Sequence, residues 1–254
     1  MASRAWLHAM NPSLKFILVL VSMLTLAWFF NPWTPFLFFT GVILLQLLFS
    51  RVNWKIWCLF MIPIGFTAIG YLWTTVLFAA DTSGEVIFVW RGFEVTNVQW
   101  NTALSLAFRV FAFSSMSMMF AFTTDPVKFV MSLMQQLRLS PKLAYGVMVG
   151  YQFLPVVKDE LIQIRHAHRL RGIGEEKHMW QRLLGMRRLL IPLLAGAVRR
   201  AERTAFAMEA RGFTGERRST YYEPIRIVGR DWLLTAIIMG LLLGSCVAGL
   251  LLSY

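Results

Sequence analysis

Apolar residues along this chain fall in long unbroken runs, not in the short alternations of a soluble sheet or amphipathic bundle. Five runs stand out, at residues 14–30, 33–50, 56–80, 102–122 and 232–253. A spanning helix needs about 20 apolar residues, with about 17 as the lower limit. Each run therefore predicts one membrane crossing. The turn Asn31-Pro32-Trp33-Thr34-Pro35 separates the first two, because its prolines interrupt a helix. The first run leads directly to the second with no small-residue cleavage site, so no cleavable leader is expected. In the loop 81–101, Val86-Ile87-Phe88-Val89-Trp90 followed by Arg91-Gly92 predicts a small hairpin.

Two further apolar stretches, 143–157 and 189–198, are shorter. Each holds a proline (Pro155, Pro192) and runs directly into Arg-rich sequence. They predict long interfacial or cytoplasmic helices, the first kinked at Pro155. From Leu143 the apolar positions recur at 147, 150, 154, 157, 161 and 164. A second seam runs through Ile191, Leu194, Val198, Ala201, Ala205 and Met208. Such seams predict two helices packed on each other. Gly146 and Gly150, four residues apart, would allow close backbone approach. Thr124-Asp125-Pro126 and Ser140-Pro141 have the cap-plus-proline form of helix starts. The first predicts a helix from 126 to about Leu139.

Composition sharpens this picture. The chain is 57% hydrophobic and only 15% charged, against about a quarter charged in soluble domains. That excludes a disordered chain and argues against an ordinary soluble enzyme. Trp28, Trp33, Trp54, Trp57, Trp100 and Trp232 fall near predicted span ends, as interfacial anchors do. The net charge is +12, and 16 of the 25 basic residues lie between Lys158 and Arg230. Arg4 and Lys15, then Arg51 and Lys55, then this basic segment all fall on one side of a five-span arrangement. The excess of Lys and Arg makes that side cytoplasmic, with the N-terminus inside and Tyr254 outside. The expected fold is an all-α integral membrane protein with five transmembrane helices and a cytoplasmic or interfacial module of long amphipathic helices. Residues 1–123 form its four-helix membrane region, 124–230 the module and 231–254 the last span.

The candidate chemistry sits at two helix ends. One closes Arg169-Leu170-Arg171-Gly172, the other Glu209-Ala210-Arg211-Gly212. The ordinary reading is C-capping, with glycine left-handed and arginine complementing the helix dipole. Two copies about 40 residues apart in one basic module point further. A repeated exposed arginine fork suits docking to carboxylates on a partner. Arg109 lies inside the fourth span without an acidic neighbour, which favours a structural role on helix carbonyls over contact with a partner. Cys58 and Cys246, and His166 with His168, lack metal-ligand spacing. Residues 172–177 lack the P-loop pattern. No catalytic set, cofactor site or metal site is expected. The serines and methionines at 114–119, and Gly240, Gly244 and Ala248, read as bundle packing. The arginines are interleaved with Glu and carry no stacking aromatics, so acidic protein grooves and anionic lipid fit them better than nucleic acid.

With these residues in place, the chain resembles the transmembrane T component of energy-coupling factor (ECF) transporters, the EcfT-like and CbiQ-like permeases, over nearly its whole length. The resemblance rests on Asn11-Pro12-Ser13-Leu14-Lys15, Thr123-Thr124-Asp125-Pro126, Gln152-Phe153-Leu154-Pro155, Arg199-Arg200-Ala201-Glu202 and Ala207 to Phe213. The family carries two Ala-Arg-Gly motifs at the ends of coupling helices. The second is intact at Ala210-Arg211-Gly212; the first has Leu170 in place of alanine. The resemblance implies a non-catalytic subunit of a multi-pass bacterial plasma-membrane importer. Two ATPase subunits would dock at Arg171 and Arg211, and a small S component would bind a vitamin, of the thiamine or pyrimidine-precursor type, or a metal ion. Gly146, Gly150, Pro155, Pro192, Ala201 and Ala205 would shape the coupling helices. The alternative is a membrane scaffold or regulator whose basic helices bind lipid or a non-ATPase partner.

Overall fold

The computed structural model describes residues 6–50, 52–78, 86–90, 93–172, 179–217 and 220–252. Arg4, Arg51, the Arg91-Gly92 turn and residues 173–178 lie outside them. The chain forms two compact units, one of Met1–Ser132 with Ile225–Tyr254, the other of Leu133–Pro224.

Unit 1 is the apolar one. It begins with α1 (Trp6–Ala9) and α2 (Pro12–Trp28), continues through α3 (Trp33–Phe49), α4 (Trp54–Leu77) and α5 (Asn97–Thr123), and closes with α9 (Gly229–Leu252). Among the described residues, α4, α5 and α9 are long and apolar enough to cross a membrane, at 24, 27 and 24 residues. The apolar α2 and α3 have 17 residues each, which sits at the lower limit for a span. Between α4 and α5, β1 (Val86–Trp90) pairs antiparallel with β2 (Phe93–Thr96). Thr96 and Gln99 then form a reciprocal capping box that starts α5. This polar cap explains why the helix begins five residues before the apolar run.

The core of unit 1 is built where α2, α3, α5 and α9 meet. Leu18, Leu26, Phe38, Val42, Met116, Leu234, Ile238 and Leu242 are all buried there. α4 is apolar all round and packs mainly on α5, leaving Leu59, Phe66, Ile69 and Trp73 exposed. Such a helix presents its free face to lipid or to another membrane protein. Arg109, in α5, donates to the carbonyl of Phe29 at the C-terminus of α2 and lies 5.3 Å from the centre of the Phe30 ring. It thus satisfies a helix-end carbonyl that has no intrahelical partner.

α3 and α9 approach closely through glycine, at positions other than those expected. Gly240 and Gly244 face open space, with no atom within 4 Å of an added Cβ. Gly41 of α3 and Gly249 of α9 make the close contacts: a Cβ at Gly41 would strike the Leu241 side chain. A Cβ at Gly249 would stand 3.1 Å from Thr34 Cβ and 3.2 Å from the Thr34 amide nitrogen, and its carbonyl accepts from Asn31 Nδ2. Gly249→Val is therefore expected to destabilise unit 1 by about 1–3 kcal/mol, read as a lowered Tm in detergent, while Gly244→Val leaves it unchanged.

Unit 2 follows α6 (Pro126–Gln136), whose last turn lies within it, and contains α7 (Pro141–Leu170) and α8 (Met179–Ala210). Asp125 starts α6, accepting from the amides of Val127 and Lys128 at 2.8 and 3.2 Å. α6 ends three residues before Leu139, because Arg138 takes a left-handed conformation (φ 60°) and the Leu139 amide turns back to the Leu133 carbonyl. Ser140 caps α7, accepting from the Leu143 amide. Pro155 and Pro192 sit inside continuous helices, where each removes one backbone donor.

Candidate functional site

The two candidate docking ends have the same backbone geometry. At the end of α7, the Gly172 amide bonds the Arg169 carbonyl at 3.0 Å, and Gly172 is left-handed with φ 70°. At the end of α8, the Gly212 amide bonds the Glu209 carbonyl at 2.8 Å, and Gly212 has φ 76°. There the Phe213 amide also bonds the Met208 carbonyl at 3.0 Å, which completes a Schellman closure. Each glycine thus supplies a conformation that a Cβ would strain. Each preceding arginine, Arg171 and Arg211, is exposed, as are Leu170, Glu209 and Ala210.

The surroundings of the two ends differ. Behind Arg171, Arg165 and Arg169 add charge, and no acidic residue lies between 161 and 172. Leu170 is 90% exposed there. Beside Arg211 stands Glu209, and Phe213 folds back so that its ring meets Tyr145 edge-on at 5.3 Å. The following segment is tied to α6, since Arg217 donates to the Met134 carbonyl and Gln135 to that of Glu223. Arg211 lines a hollow of about 310 Å³ with Tyr145, Met208, Phe213, Glu216 and Tyr222. The second end is thus braced and aromatic. The first is bare and basic over its described residues.

The expected packing of α7 on α8 is made in part: the helices meet, with Val157, Leu161, Ile164 and Met208 of the two seams half-buried. Leu143, Val147 and Leu154 on one seam, and Ile191, Leu194 and Val198 on the other, are all exposed. The close approach expected at Gly146 and Gly150 is not made, because an added Cβ at either would meet nothing within 4 Å. Instead both glycines, with Phe153, Ala201, Ala205 and Met208, line a groove of about 550 Å³ between the helices. A periodic apolar stripe marks a face that leaves water. In a membrane protein that face meets lipid or a second protein as readily as a neighbouring helix.

The contact of α7 with α8 also holds an ion pair. Arg200 Nη2 donates to Glu160 Oε2 at 3.0 Å, and its guanidinium lies 5.7 Å from the Phe153 ring centre. Gly196, one turn before Arg200, gives the carboxylate room, since a Cβ there would strike Glu160 Oε1. Arg200 and Phe153 both lie in the motifs quoted for the resemblance, but the pairing of Arg200 with Glu160 has no signal in the sequence.

Comparison with known proteins bears on this geometry. A family model described as CbiQ, cobalt transport protein, matches residues 3–222. The chain is 27% identical to the energy-coupling factor transporter transmembrane protein EcfT of Streptococcus thermophilus, covering 93% of this chain and 92% of that one. It is 28% identical to the EcfT protein of Lacticaseibacillus paracasei over 94% of each. Against that of Lactococcus lactis subsp. cremoris it is 27% identical over 93% and 92%.

Proposed function

The chain belongs to the CbiQ family of cobalt transport proteins, and from that premise we propose how its two arginine-bearing helix ends serve an ECF-type importer. It is a membrane protein and an energy-coupling transporter component. In our reading it is non-catalytic. Two partner ATPases hydrolyse ATP, one seated on Arg171-Gly172 and the other on Arg211-Gly212. Leu170, Glu209 and Ala210 border these contacts. α7 and α8 pass the resulting movement to a small S component that carries the cargo.

The observation that carries this reading is the duplicated end: two helices of one unit finish in left-handed glycines, each preceded by an exposed arginine. Two like ends fit two related partners. Their unlike surroundings, a bare leucine beside several arginines against a braced aromatic corner, fit partners that are not identical. The exposed seams of α7 and α8 and the groove beside Gly146, Gly150, Ala201 and Ala205 offer the S component an apolar surface. We place the N-terminus and unit 2 in the bacterial cytoplasm and Tyr254 outside, on the five-span count and the charge bias.

The test is purification of the tagged chain from its native host in mild detergent. The expected co-eluting set is two ATPase subunits and one small membrane protein. Absence of any ATPase would move the weight to a scaffold that binds lipid or another partner. Uptake by that complex of labelled thiamine, its pyrimidine precursor or cobalt identifies the cargo.

A further inference from the structure

Within Asn11 to Lys15, quoted for the resemblance, the buried Asn11, Ser13 and Lys15 build a polar cluster inside unit 1. Lys15 is fully buried. Its ammonium donates to the Thr123 carbonyl and to Thr123 Oγ1, both at 3.0 Å, and to Thr124 Oγ1 at 3.4 Å. It therefore holds the corner where α5 gives way to α6. The start of α9 is tied to the stretch that leads into α2, since Arg230 donates to the Ala9 carbonyl at 3.3 Å, and Asp231, 2% exposed, stands in the first turn of α9. Its Oδ2 accepts from the Val228 amide at 3.1 Å, and its Oδ1 has no partner among the described residues. Ser13 donates to Ser132 Oγ at 2.8 Å.

The placement of these bonds follows the path of the chain. The chain leaves unit 1 after Ser132 and returns at Ile225. Ser132 is the last residue before the departure, and Val228 comes three residues after the return. Both connections are thus bonded, within unit 1, to the stretch 9–15 that leads into α2: Ser132 to Ser13, and Arg230, beside the return, to the Ala9 carbonyl. A buried ammonium is costly unless fully hydrogen-bonded and paired. An apolar side chain of similar length would fill the same space without that cost. What the charge adds is register, since it selects particular carbonyl and hydroxyl partners on other helices.

Resting on the coupling function proposed above, we infer that Lys15 and the Ser13–Ser132 pair are positioning groups for energy transfer. They hold the two connections rigid, so that movement of unit 2 is delivered to the membrane helices instead of being lost at slack joints.

The experiment uses the complete complex of this chain with its ATPases and S component in proteoliposomes, and reads cargo transported per ATP hydrolysed. Lys15→Met is expected to keep the ATPases bound and hydrolysing while that ratio falls about 10-fold, and Lys15→Arg to recover most of it. A second variant, Ser13→Ala with Ser132→Ala, leaves no buried charge unpaired. It is expected to lower the ratio about threefold in a complex that assembles normally. An unchanged ratio in that double variant overturns the inference, even where Lys15→Met fails to assemble. A wild-type chain that captures no ATPase overturns the coupling function and this inference with it.

Discussion

Arg211→Glu is expected to release one ATPase from the purified complex and to abolish uptake, with the membrane unit still folded. The same change at Arg171 should release the other. Truncating one partner of a desolvated interfacial charge pair costs about 2–5 kcal/mol, and reversal costs more. The expected loss of affinity is therefore about 30-fold or greater. The competing explanation, a C-capping arginine that only complements the helix dipole, carries about 0.3–1 kcal/mol, and that as helix stability. The two accounts separate in a pull-down that measures ATPase retention and Tm together. Retention with a slightly lowered Tm would leave Arg211 as a cap. Loss of ATPase at unchanged Tm would make it a docking charge. Arg211→Lys refines the answer, since it keeps charge and removes the planar fork that matches a carboxylate. Ala210→Leu tests the departure at the first end, where Leu170 already occupies the equivalent place.

Glu160→Gln is expected to weaken the join of α7 to α8 and to uncouple the two ends from each other. The bond from Arg200 is charge-assisted and three-quarters shielded from solvent, with side-chain exposures of 25% and 24%. Hydrogen bonds to charged groups contribute about 1.5–3 kcal/mol. Gly196→Val should act through the same contact, because its side chain would push the Glu160 carboxylate away from Arg200. Each single variant is expected to retain both ATPases and to lose transport several-fold. The double variant should be little worse than either alone, as expected of changes acting through one shared interaction. Additive losses would show that the bond carries no coupling.

Much of this architecture is legible in the sequence, for a physical reason. Lipid leaves an apolar run no choice but helix, since every backbone group must be satisfied within the segment. The runs at 14–30, 33–50, 56–80, 102–122 and 232–253 accordingly become α2, α3, α4, α5 and α9. Local chemistry was equally readable at the caps. Asp125 starts α6, Ser140 starts α7, and Gly172 and Gly212 are left-handed where the chain turns away. Long-range chemistry was not. Lys15 finds its partners on Thr123, 108 residues away, and Glu160 finds Arg200 across a helix pair. Nothing in local spacing carries such information. The seams of α7 and α8 were legible only in part, because periodicity identifies an apolar face without naming what covers each stretch of it. The packing glycine of α9 shows the same limit: Gly240 and Gly244 make the better motif, yet Gly249 makes the contact.

The division of unit 1 into two stretches of chain has a consequence for how the protein is made. About 90 residues of unit 2 stand between α6 and α9. At synthesis rates of about 5–20 residues per second, α1 to α5 wait roughly 5–18 s before α9 emerges. Throughout that interval Leu234, Ile238 and Leu242 are missing from the core they complete. The Ala9 carbonyl is without Arg230, and Thr34 without Gly249. The nascent bundle must rest in the bilayer with an open seam along α2 and α3, which lipid tails or an insertion factor fill until the final helix displaces them.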